Sequence, residues 1–331
     1  MSLPALNAVR RAFPSAHLAI LIKQELASFF DGSHSIDEVI PYRVTSGVAG
    51  WRDRVRIIKE LRRGRFDLAV LFPNSLEAAL WTAAAGIPDR VGFIRDGRGP
   101  LLTHKMRPSQ SALESHQVNY LLEMLRGTLR IEGSADDFAI EIDPRDAAKM
   151  RDWLRKERGA ASGALIAIAP AAAFGPAKEW PLGNYAALID LVRRKHDARC
   201  VLVGAPSELE KCKAVQDAAV SEVSVTAGQT SIGEMAALLS LCNGFAGNDS
   251  GVMHVAGAIG IPTVGIFGST NAKRTGPLGA RVSVIYRQVE CSPCLQRTCR
   301  FGHYNCLRQI SPEEVAESLA KMGAFTAIGR G

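Results

Sequence analysis

The sequence predicts an α/β protein with two doubly wound domains, each a parallel sheet covered by helices on both faces. Short apolar runs alternate with helical stretches along the chain, which is typical of parallel strands joined by crossover helices. A length of 331 residues suits about two domains. A charged helix followed by small residues interrupts the pattern between 143 and 163, so we predict domains at 1–158 and 159–331 with a cleft between them.

The first domain begins with a helix, because Leu3, Leu6 and Phe13 recur at helical spacing and Pro4 suits a first turn. After it we predict strands at 17–22, 66–72 and 90–94, and helices at 51–63, 76–85 and 113–126. A doubly wound domain normally begins with a strand. This order therefore predicts that the first strand is missing, either because the domain lacks it or because the start of the chain has been cut.

The second domain repeats the alternation of strands and helices. Its strands are predicted at 164–171, 200–204, 244–248 and 262–268, and its helices at 183–195, 207–219 and 231–241. The sequence contains neither a short-period repeat nor a low-complexity tract. Two domains of similar α/β construction are therefore the simplest organisation for the chain.

Composition and charge narrow the class of protein. A content of 47% hydrophobic and 22% charged residues indicates a globular protein, and no apolar run approaches the roughly 20 residues of a membrane span, so we expect a cytoplasmic protein. The net charge of +7 favours an anionic partner. We find no recognition motif for nucleic acid and no glycine-rich dinucleotide fingerprint, which argues against nucleic-acid binding and against NAD-dependent oxidoreduction.

A basic segment between 51 and 65 accounts for a large part of the positive charge. On a helix, its cations cover most of the surface that the apolar residues leave uncovered. The segment is either a solvated helix face or a contact for an anionic membrane surface. Its basic residues are Arg52, Arg54, Arg56, Lys59, Arg62, Arg63 and Arg65.

Four of the seven cysteines lie close together near the C-terminus, in "CSPCLQRTCRFGHYNC". These four are Cys291, Cys294, Cys299 and Cys306, with His303 among them. The spacing is compatible with zinc but weaker than paired CxxC motifs, so we favour reduced or redox-sensitive thiols that fold a loop, and we predict no metal. Cys200, Cys212 and Cys242 lie in apolar or helical surroundings, where small buried residues are common.

A strand that ends near 248 is followed directly by a helix, with Asp249, Ser250 and Gly251 on the turn and His254 one turn further on. The backbone N–H groups at a helix N-terminus attract anions, and glycine allows close approach, so this turn predicts a phosphate site. A carboxylate beside such a site suits sugar hydroxyls. The alternative is an ordinary helix cap, with His254 as a core histidine.

The loop at 169–181 follows the first strand of the second domain and lies at the same edge of the predicted sheet. Ligands of open α/β sheets bind at the carboxyl ends of the strands. Lys178 is therefore a candidate cation for a diphosphate, and Trp180 with Pro181 fixes the start of the next helix. The alternative is a structural lysine on a surface loop.

Several of these segments resemble glycosyltransferase family 9. "NDSGVMHVAGAIGIPTVGIFGST" resembles the family signature D-S-G-x-M-H-x-A-x-A-x-G-x-P, and "FGPAKEWP" is similar to the matching loop of the same domain. "LFPNSLEAALWTAAAGIPDRVGFIRDGRGPLL" and "CSPCLQRTCRFGHYNCLRQISPEEV" narrow the resemblance to one heptosyltransferase subfamily. The likeness extends from Leu3 to about Leu319.

The resemblance implies a GT-B fold, in which two Rossmann-like domains face each other across a cleft. It also implies an inverting transfer of L-glycero-D-manno-heptose from ADP-heptose to the inner core of lipopolysaccharide, without a metal or other cofactor. Lys178 would then contact the diphosphate together with the backbone at Ser250 and Gly251, Asp249 would hold the heptose hydroxyls, and His254 would line the site. The adenosine pocket would include Gln229, Thr230 and Ser231.

The acceptor implied by the resemblance is a Kdo-containing lipid A core. Candidate acceptor contacts are Asn74, Ser75, Arg95 and Arg98, and the basic helix would give peripheral contact with the inner face of the inner membrane. The general-base aspartate of the family corresponds to a position before Met1. Two alternatives therefore stay open: a nucleotide-sugar-binding protein that has lost catalysis, and a family member with a different sugar donor.

Overall fold

The structure is a computed structural model that describes residues 1–138, 140–158 and 163–326. The chain divides into two compact units. The first comprises Met1–Phe30 and His34–Phe138, and the second comprises Asp31–Ser33 and Ala139–Gly331. This division falls earlier than the boundary predicted at 158/159, because the helix that precedes that boundary packs within the second unit.

The first unit contains five helices and five strands within the described residues. In chain order they are α1 (Leu3–Ala12), β1 (Ala19–Lys23), β2 (Glu38–Tyr42), α2 (Gly47–Arg63), β3 (Leu68–Val70), α3 (Leu76–Ala84), β4 (Asp89–Phe93), β5 (His104–Met106), α4 (Gln110–Glu114) and α5 (Gln117–Leu129). Short 3-10 helices occupy Gln24–Phe30 and Gly99–Leu101. The strands form two parallel sheets, β1-β2 and β3-β4-β5.

The core of the first unit joins the opening helix to the end of the unit. Ala5 and Ala8 of α1 are buried against Leu121 and Met124 of α5. The opening helix, which the sequence predicted from its apolar spacing, therefore belongs to the hydrophobic core. Burial of a leucine or methionine side chain contributes about 1.5–3 kcal/mol relative to exposure.

One predicted helix of the first unit is two helices. The pattern at 113–126 covers parts of α4 and α5, and the chain breaks between them because Ser115 and His116 adopt extended backbone angles. His116 caps the second helix, since its ring Nδ1 accepts the N–H of Val118 at 3.2 Å. Strands β2 and β5 were not predicted.

The second unit contains α6 (Pro144–Arg158), β6 (Leu165–Ala169), α7 (Leu182–His196), β7 (Arg199–Leu202), α8 (Leu209–Ala218), β8 (Ser224–Val225), α9 (Ile232–Ser240), β9 (Gly244–Asn248), α10 (Gly251–Ile259), β10 (Thr263–Phe267), α11 (Ala272–Thr275), β11 (Val282–Tyr286), α12 (Asn305–Arg308) and α13 (Pro312–Lys321). Its six strands form one parallel sheet in the order β11-β10-β9-β6-β7-β8. Every residue of β6, β9 and β10 is buried. Apart from Asn248 and Thr263, these strands contain no polar side chain, because helices cover both faces of a parallel sheet.

The strand order places the switch point of this sheet between β6 and β9. From β6 the chain continues outward to β7 and β8, and it then returns to add β9, β10 and β11 on the other side. The carboxyl ends of β6 and β9 are therefore neighbours, and this is where open α/β sheets bind ligands. The loop that carries Lys178 follows β6, and the turn that carries Ser250 follows β9.

Helices in the described ranges are all too short or too polar to cross a lipid bilayer.

Candidate active site

A buried ion pair joins the loop after β6 to the turn after β9. Lys178 ends the short 3-10 helix Pro176–Lys178, and its Nζ lies 2.6 Å from Asp249 Oδ2. The two side chains are only 14% and 5% exposed. The hydroxyl of Thr270 donates to the same oxygen at 2.7 Å, and that of Thr275 lies 3.5 Å from it. Buried charges require such partners, so the geometry of this carboxylate is fixed from three sides.

The N-terminus of α10 lies next to this pair in the chain. Ser250 occupies the N-cap position, but its side chain makes no capping hydrogen bond, and its buried Oγ has no hydrogen-bond partner in the described part of the chain. The structure therefore does not use Ser250 as an ordinary side-chain cap. The first backbone N–H groups of this nine-residue helix and the positive end of its dipole remain directed at the turn.

Ser269, two residues after the end of β10, has the second buried hydroxyl without a partner in the described residues. The residue is 1% exposed, and its Oγ has no partner among the residues that the structure describes. Its backbone is well bonded, since its N–H donates to Ala177 O at 3.2 Å and its carbonyl accepts the N–H of Leu295 at 2.8 Å. A buried hydroxyl without a partner costs about 1–3 kcal/mol, so two of them after neighbouring strands indicate a place for a polar ligand.

Asn248 holds the loop after β6 in place. Its side-chain oxygen accepts from the N–H of Trp180 and from the hydroxyl of Tyr185, both at 2.9 Å, and its amide nitrogen donates to Pro170 O at 2.8 Å. Burial raises the pKa of Tyr185 well above its ordinary value, so this hydroxyl stays protonated and donates. The sequence analysis did not single out Asn248, although a polar residue that ends the apolar strand "GFAGN" was the available signal.

The residues 291–306, which we name the cysteine loop, pack against the Lys178 loop. The carbonyl of Arg297 accepts the N–H of Ala177 at 3.0 Å. Gly175 allows this contact, because its φ is +139° and a Cβ there would lie 2.6 Å from the same carbonyl oxygen. The ring of Phe174 lies 4.9 Å from Lys178 Nζ and 5.5 Å from the guanidinium carbon of Arg297. Lys178 is therefore braced by a loop that lies more than 100 residues away in the chain.

The thiols of the cysteine loop are close but do not form a recognisable metal centre. The Cys291 Sγ lies 3.9 Å from His303 Nε2. Within 1–138, 140–158 and 163–326, no three His, Cys, Asp or Glu side chains are arranged to hold a metal ion, and no disulfide joins any of the seven cysteines. Burial raises the pKa of Cys306 to about 11. Burial also raises the pKa of Cys299, but hydrogen bonds from the backbone N–H groups of Tyr304 and neighbouring residues lower it on balance.

The other residues predicted for the donor have ordinary structural contacts. His254 is partly exposed on α10. Gln229 donates to Val225 O at 3.2 Å, and Ser231 caps α9 by accepting the N–H of Glu234 at 3.1 Å. These last residues and Thr230 follow β8, at the edge of the sheet and two strands away from β6. Their role in an adenosine pocket stays a prediction.

In the first unit, the structure brings together Asn74 and Arg98 but buries the arginine completely. The Nη2 of Arg98 donates to Asn74 Oδ1 at 3.0 Å, its Nε donates to Phe93 O at 2.9 Å, and its Nη1 donates to Pro73 O. Asn74 itself donates to the hydroxyl of Tyr120 at 2.9 Å. The contacts of Arg98 are therefore structural, and they occupy the groups that we predicted for an acceptor.

Two further predicted acceptor residues differ from each other. Ser75 is the N-cap of α3, and its hydroxyl accepts the N–H of Ala78 at 3.3 Å. Arg95 is exposed on the loop after β4. Of the four predicted acceptor residues, Arg95 is the one whose cationic group is exposed, and its contact with an acceptor stays a prediction.

The protein has the GT-B fold, as its similarity to two solved structures shows. The structure of ADP-heptose lipopolysaccharide heptosyltransferase II from Escherichia coli matches with a TM-score of 0.80, at 23% identity over 97% of this chain and 93% of that one. A family 9 glycosyltransferase from Veillonella parvula matches with a TM-score of 0.83, at 22% identity over 97% and 92%. These structures confirm the predicted fold.

The family is shown by the sequence itself. The model of glycosyltransferase family 9 (heptosyltransferase) matches residues 54–305, and the chain belongs to this family. Lipopolysaccharide heptosyltransferase 2 of Salmonella typhimurium is 28% identical over 96% of this chain and 93% of its own length. These relatives therefore carry the name of the subfamily that the sequence resembles, heptosyltransferase II.

Proposed function

We propose that the protein is an inverting glycosyltransferase that moves L-glycero-D-manno-heptose from ADP-heptose to the inner core of lipopolysaccharide. The observation that carries this proposal is the position of the Lys178–Asp249 pair beside an α10 N-terminus whose serine hydroxyl has no partner in the described residues. Such a site combines donors for phosphate with a carboxylate for sugar hydroxyls. Relatives named lipopolysaccharide heptosyltransferase 2 support heptosyl transfer to lipopolysaccharide, and the similar E. coli structure, named for ADP-heptose, supports that donor.

In this proposal, the diphosphate of the donor lies at the start of α10. The backbone N–H groups at Gly251 and the hydroxyl of Ser250 donate to it, and Lys178 supplies a charge-assisted contact. A Cβ built on Gly251 meets no atom within 4 Å, so the space in front of this backbone is open. Preorganised donors of this kind stabilise the charge that develops on the departing ADP, which is the part of the reaction that we assign to the second unit.

Asp249 has the second role in the proposal. Its Oδ2 is occupied by Lys178 and Thr270, which leaves us to assign Oδ1 to the hydroxyls of the heptose. A carboxylate that is held by fixed partners positions a sugar without rotating on binding. The sugar is thereby aligned for attack by the acceptor hydroxyl on the face opposite to the diphosphate.

Gly251 offers a test that separates ligand binding from folding. Because a methyl group at this position meets no protein atom, Gly251→Ala should fold normally but should block a diphosphate that approaches the backbone. We expect the affinity for ADP, measured by calorimetry, to fall about tenfold or more. Gly183→Ala in α7 is the matched control, since a Cβ there also meets open space, and it should leave ADP affinity unchanged.

Transfer itself is tested with ADP-heptose and a mono-heptosylated, Kdo-containing acceptor. Formation of the heptosylated product and release of ADP is the expected result. ADP-heptose that binds but is never transferred would instead support a nucleotide-sugar-binding protein. Transfer from another nucleotide sugar in preference to ADP-heptose would support the alternative of a different donor.

We also propose that the enzyme meets its lipid-anchored acceptor at the inner face of the inner membrane. Trp51 at the start of α2 is 68% exposed, and Leu76 and Leu80 are exposed on α3, which packs beside α2 through an Arg54–Glu77 ion pair of 2.5 Å. Exposed aromatic and aliphatic groups among arginines suit an anionic bilayer surface. Trp51→Ala should reduce sedimentation with anionic vesicles, whereas Val220→Ala, exposed in the second unit, should not.

A further inference from the structure

The candidate site has little net positive charge for the anionic diphosphate that the proposed function requires. The positive charge of Lys178 is already matched by Asp249, 2.6 Å away, so the pair is close to neutral. The end of α10 adds about half of an elementary charge. The diphosphate of a nucleotide sugar is anionic before the reaction and becomes more negative when its bond to the sugar breaks. A further cation near the site would add to the stabilisation of this leaving group.

Arg297 of the cysteine loop lies in the right place to supply it. Its guanidinium carbon is 5.5 Å from the centre of the Phe174 ring, and Lys178 Nζ is 4.9 Å from the same centre. Both distances are measured to the same ring centre, so their sum sets an upper limit of about 10 Å on the distance between Lys178 Nζ and the guanidinium carbon of Arg297. One diphosphate between them would be within reach of both flexible side chains.

The backbone of Arg297 is fixed while its side chain is exposed. The carbonyl accepts the N–H of Ala177 at 3.0 Å, which ties the residue to the loop that carries Lys178. The side chain takes part in no ion pair with the residues that the structure describes, and its recorded contact is with the Phe174 ring. The aromatic ring orients the guanidinium but leaves its charge uncompensated. The positive charge is therefore available to an anion.

We propose that Arg297 binds the diphosphate of the donor together with Lys178 and provides the net positive charge of the site. This inference rests on the proposed function and adds a residue from the cysteine loop to it. The cysteine loop then has a direct part in donor binding, in addition to bracing the Ala177 backbone. Arginine suits the role because its planar guanidinium makes paired hydrogen bonds to phosphate oxygens.

Arg300 provides a matched control within the same loop. It is also an exposed arginine on an aromatic ring, with its guanidinium carbon 4.6 Å from the centre of Phe301. Its partner ring makes no recorded contact with Lys178, whereas Phe174 does. Removal of either arginine lowers the net charge of the loop by the same amount. A difference between the two variants therefore reports position rather than overall charge.

The test is calorimetric titration of the full chain with ADP and, separately, with adenosine. Arg297→Gln should weaken ADP binding about tenfold or more and leave adenosine binding unchanged, since adenosine lacks the diphosphate. Arg297→Lys should recover part of the loss. Arg300→Gln should match the unchanged protein. The glutamine variant keeps the backbone carbonyl that accepts from Ala177, and an unchanged urea midpoint confirms that it folds.

Three outcomes contradict the proposal in different ways. Unchanged ADP affinity in Arg297→Gln, while Lys178→Ala weakens it, overturns the role of Arg297 and leaves the proposed function intact. Unchanged ADP affinity in both variants removes the diphosphate site itself, and the proposed function with it. An equal loss for ADP and adenosine, or equal losses in Arg297→Gln and Arg300→Gln, shows a structural or general electrostatic effect and overturns the proposal.

Discussion

Polar residues gather at strand ends in both units, but the two groups differ in how their hydrogen bonds are satisfied. In the first unit, Asn74, Ser75 and Arg98 form a group, the Arg98 cluster, whose recorded bonds all end on the protein itself. In the second unit, the group of Lys178, Asp249, Ser250 and Ser269, the Asp249 cluster, contains two buried hydroxyls without partners in the described residues. The first pattern is that of a structural network, and the second is that of a ligand site.

This comparison shows why residue type alone is a weak guide to function. An arginine and an asparagine after a strand look like acceptor contacts in the sequence. In the fold, the arginine donates to two backbone carbonyls and to the asparagine, and the asparagine donates to the hydroxyl of Tyr120. Ser250 looks like an ordinary helix cap in the sequence, yet its hydroxyl makes no capping hydrogen bond in the fold. The two clusters differ in whether their buried polar atoms have hydrogen-bond partners within the protein.

The largest expected effect concerns the Arg98 cluster. Arg98→Ala removes the donor for one buried and two partly buried hydrogen bonds and leaves a cavity, so we expect the free energy of unfolding to fall by about 3–5 kcal/mol. Urea denaturation measures it. Arg95→Ala, at an exposed arginine of the same loop, should change stability by no more than about 0.5 kcal/mol. A loss for Arg98→Ala as small as that of Arg95→Ala would break the comparison.

A smaller effect is expected in the Asp249 cluster, and it should appear in activity. Thr270→Val removes the hydroxyl that holds Asp249 Oδ2 at 2.7 Å but keeps the shape of the side chain. We expect kcat/KM for heptosyl transfer to fall about tenfold, or about 1.4 kcal/mol, because a hydrogen bond to a charged group is lost. Thr275→Val should change it less, since that hydroxyl lies 3.5 Å away. A larger effect from Thr275 would contradict this assignment.

Serine-to-alanine substitutions should differ in sign between the clusters. Ser75→Ala removes a helix cap and should cost about 1 kcal/mol of stability. Ser269→Ala removes a buried hydroxyl that has no described partner, so stability in the absence of ligand should stay the same or rise. Urea midpoints of the two variants decide the matter, and an equal loss in both would mean that the Ser269 hydroxyl is satisfied after all.

The smallest effect concerns the rate at which thiols of the cysteine loop react. Backbone N–H groups stabilise the thiolate of Cys299 and lower its pKa, whereas burial raises the pKa of Cys306 to about 11. Because the thiolate is the reactive form, alkylation by iodoacetamide should begin at lower pH at Cys299 than at an ordinary cysteine. Mass spectrometry of the digested protein identifies the modified residue. Earlier modification of Cys306 than of Cys299 would reverse the predicted order.

The sequence predicted the local parts of this molecule well. The turn after β9, the lysine loop after β6 and most strands follow from apolar patterns and turn residues that lie within a few positions of each other. Strands β2, β5, β8 and β11 were not predicted. Of these, β5 and β8 have only three and two residues and show no usable periodicity. The prediction of one continuous helix at 113–126 was wrong, since the chain breaks between α4 and α5, where His116 caps the second helix.

Contacts between distant positions could not be predicted. Lys178 and Asp249 were each assigned to a ligand, but their ion pair joins residues 71 positions apart. The bonds of Thr270 to Asp249 and of Arg297 to Ala177 likewise depend on the order of strands in the sheet. Such pairings are set by tertiary packing, which a single sequence does not reveal.

The three hydrogen bonds of Asn248 have a consequence for the synthesis of the protein. One amide group links Pro170, Trp180 and Tyr185, so a single side chain at the end of β9 is bonded to the loop after β6 and to α7. A nascent chain that ends before residue 248 lacks the hydrogen bonds of Asn248 and the hydroxyls of Ser250 and Ser269. Affinity for a nucleotide should therefore arise late in translation, after Asn248 and the later residues of the candidate site have been synthesised.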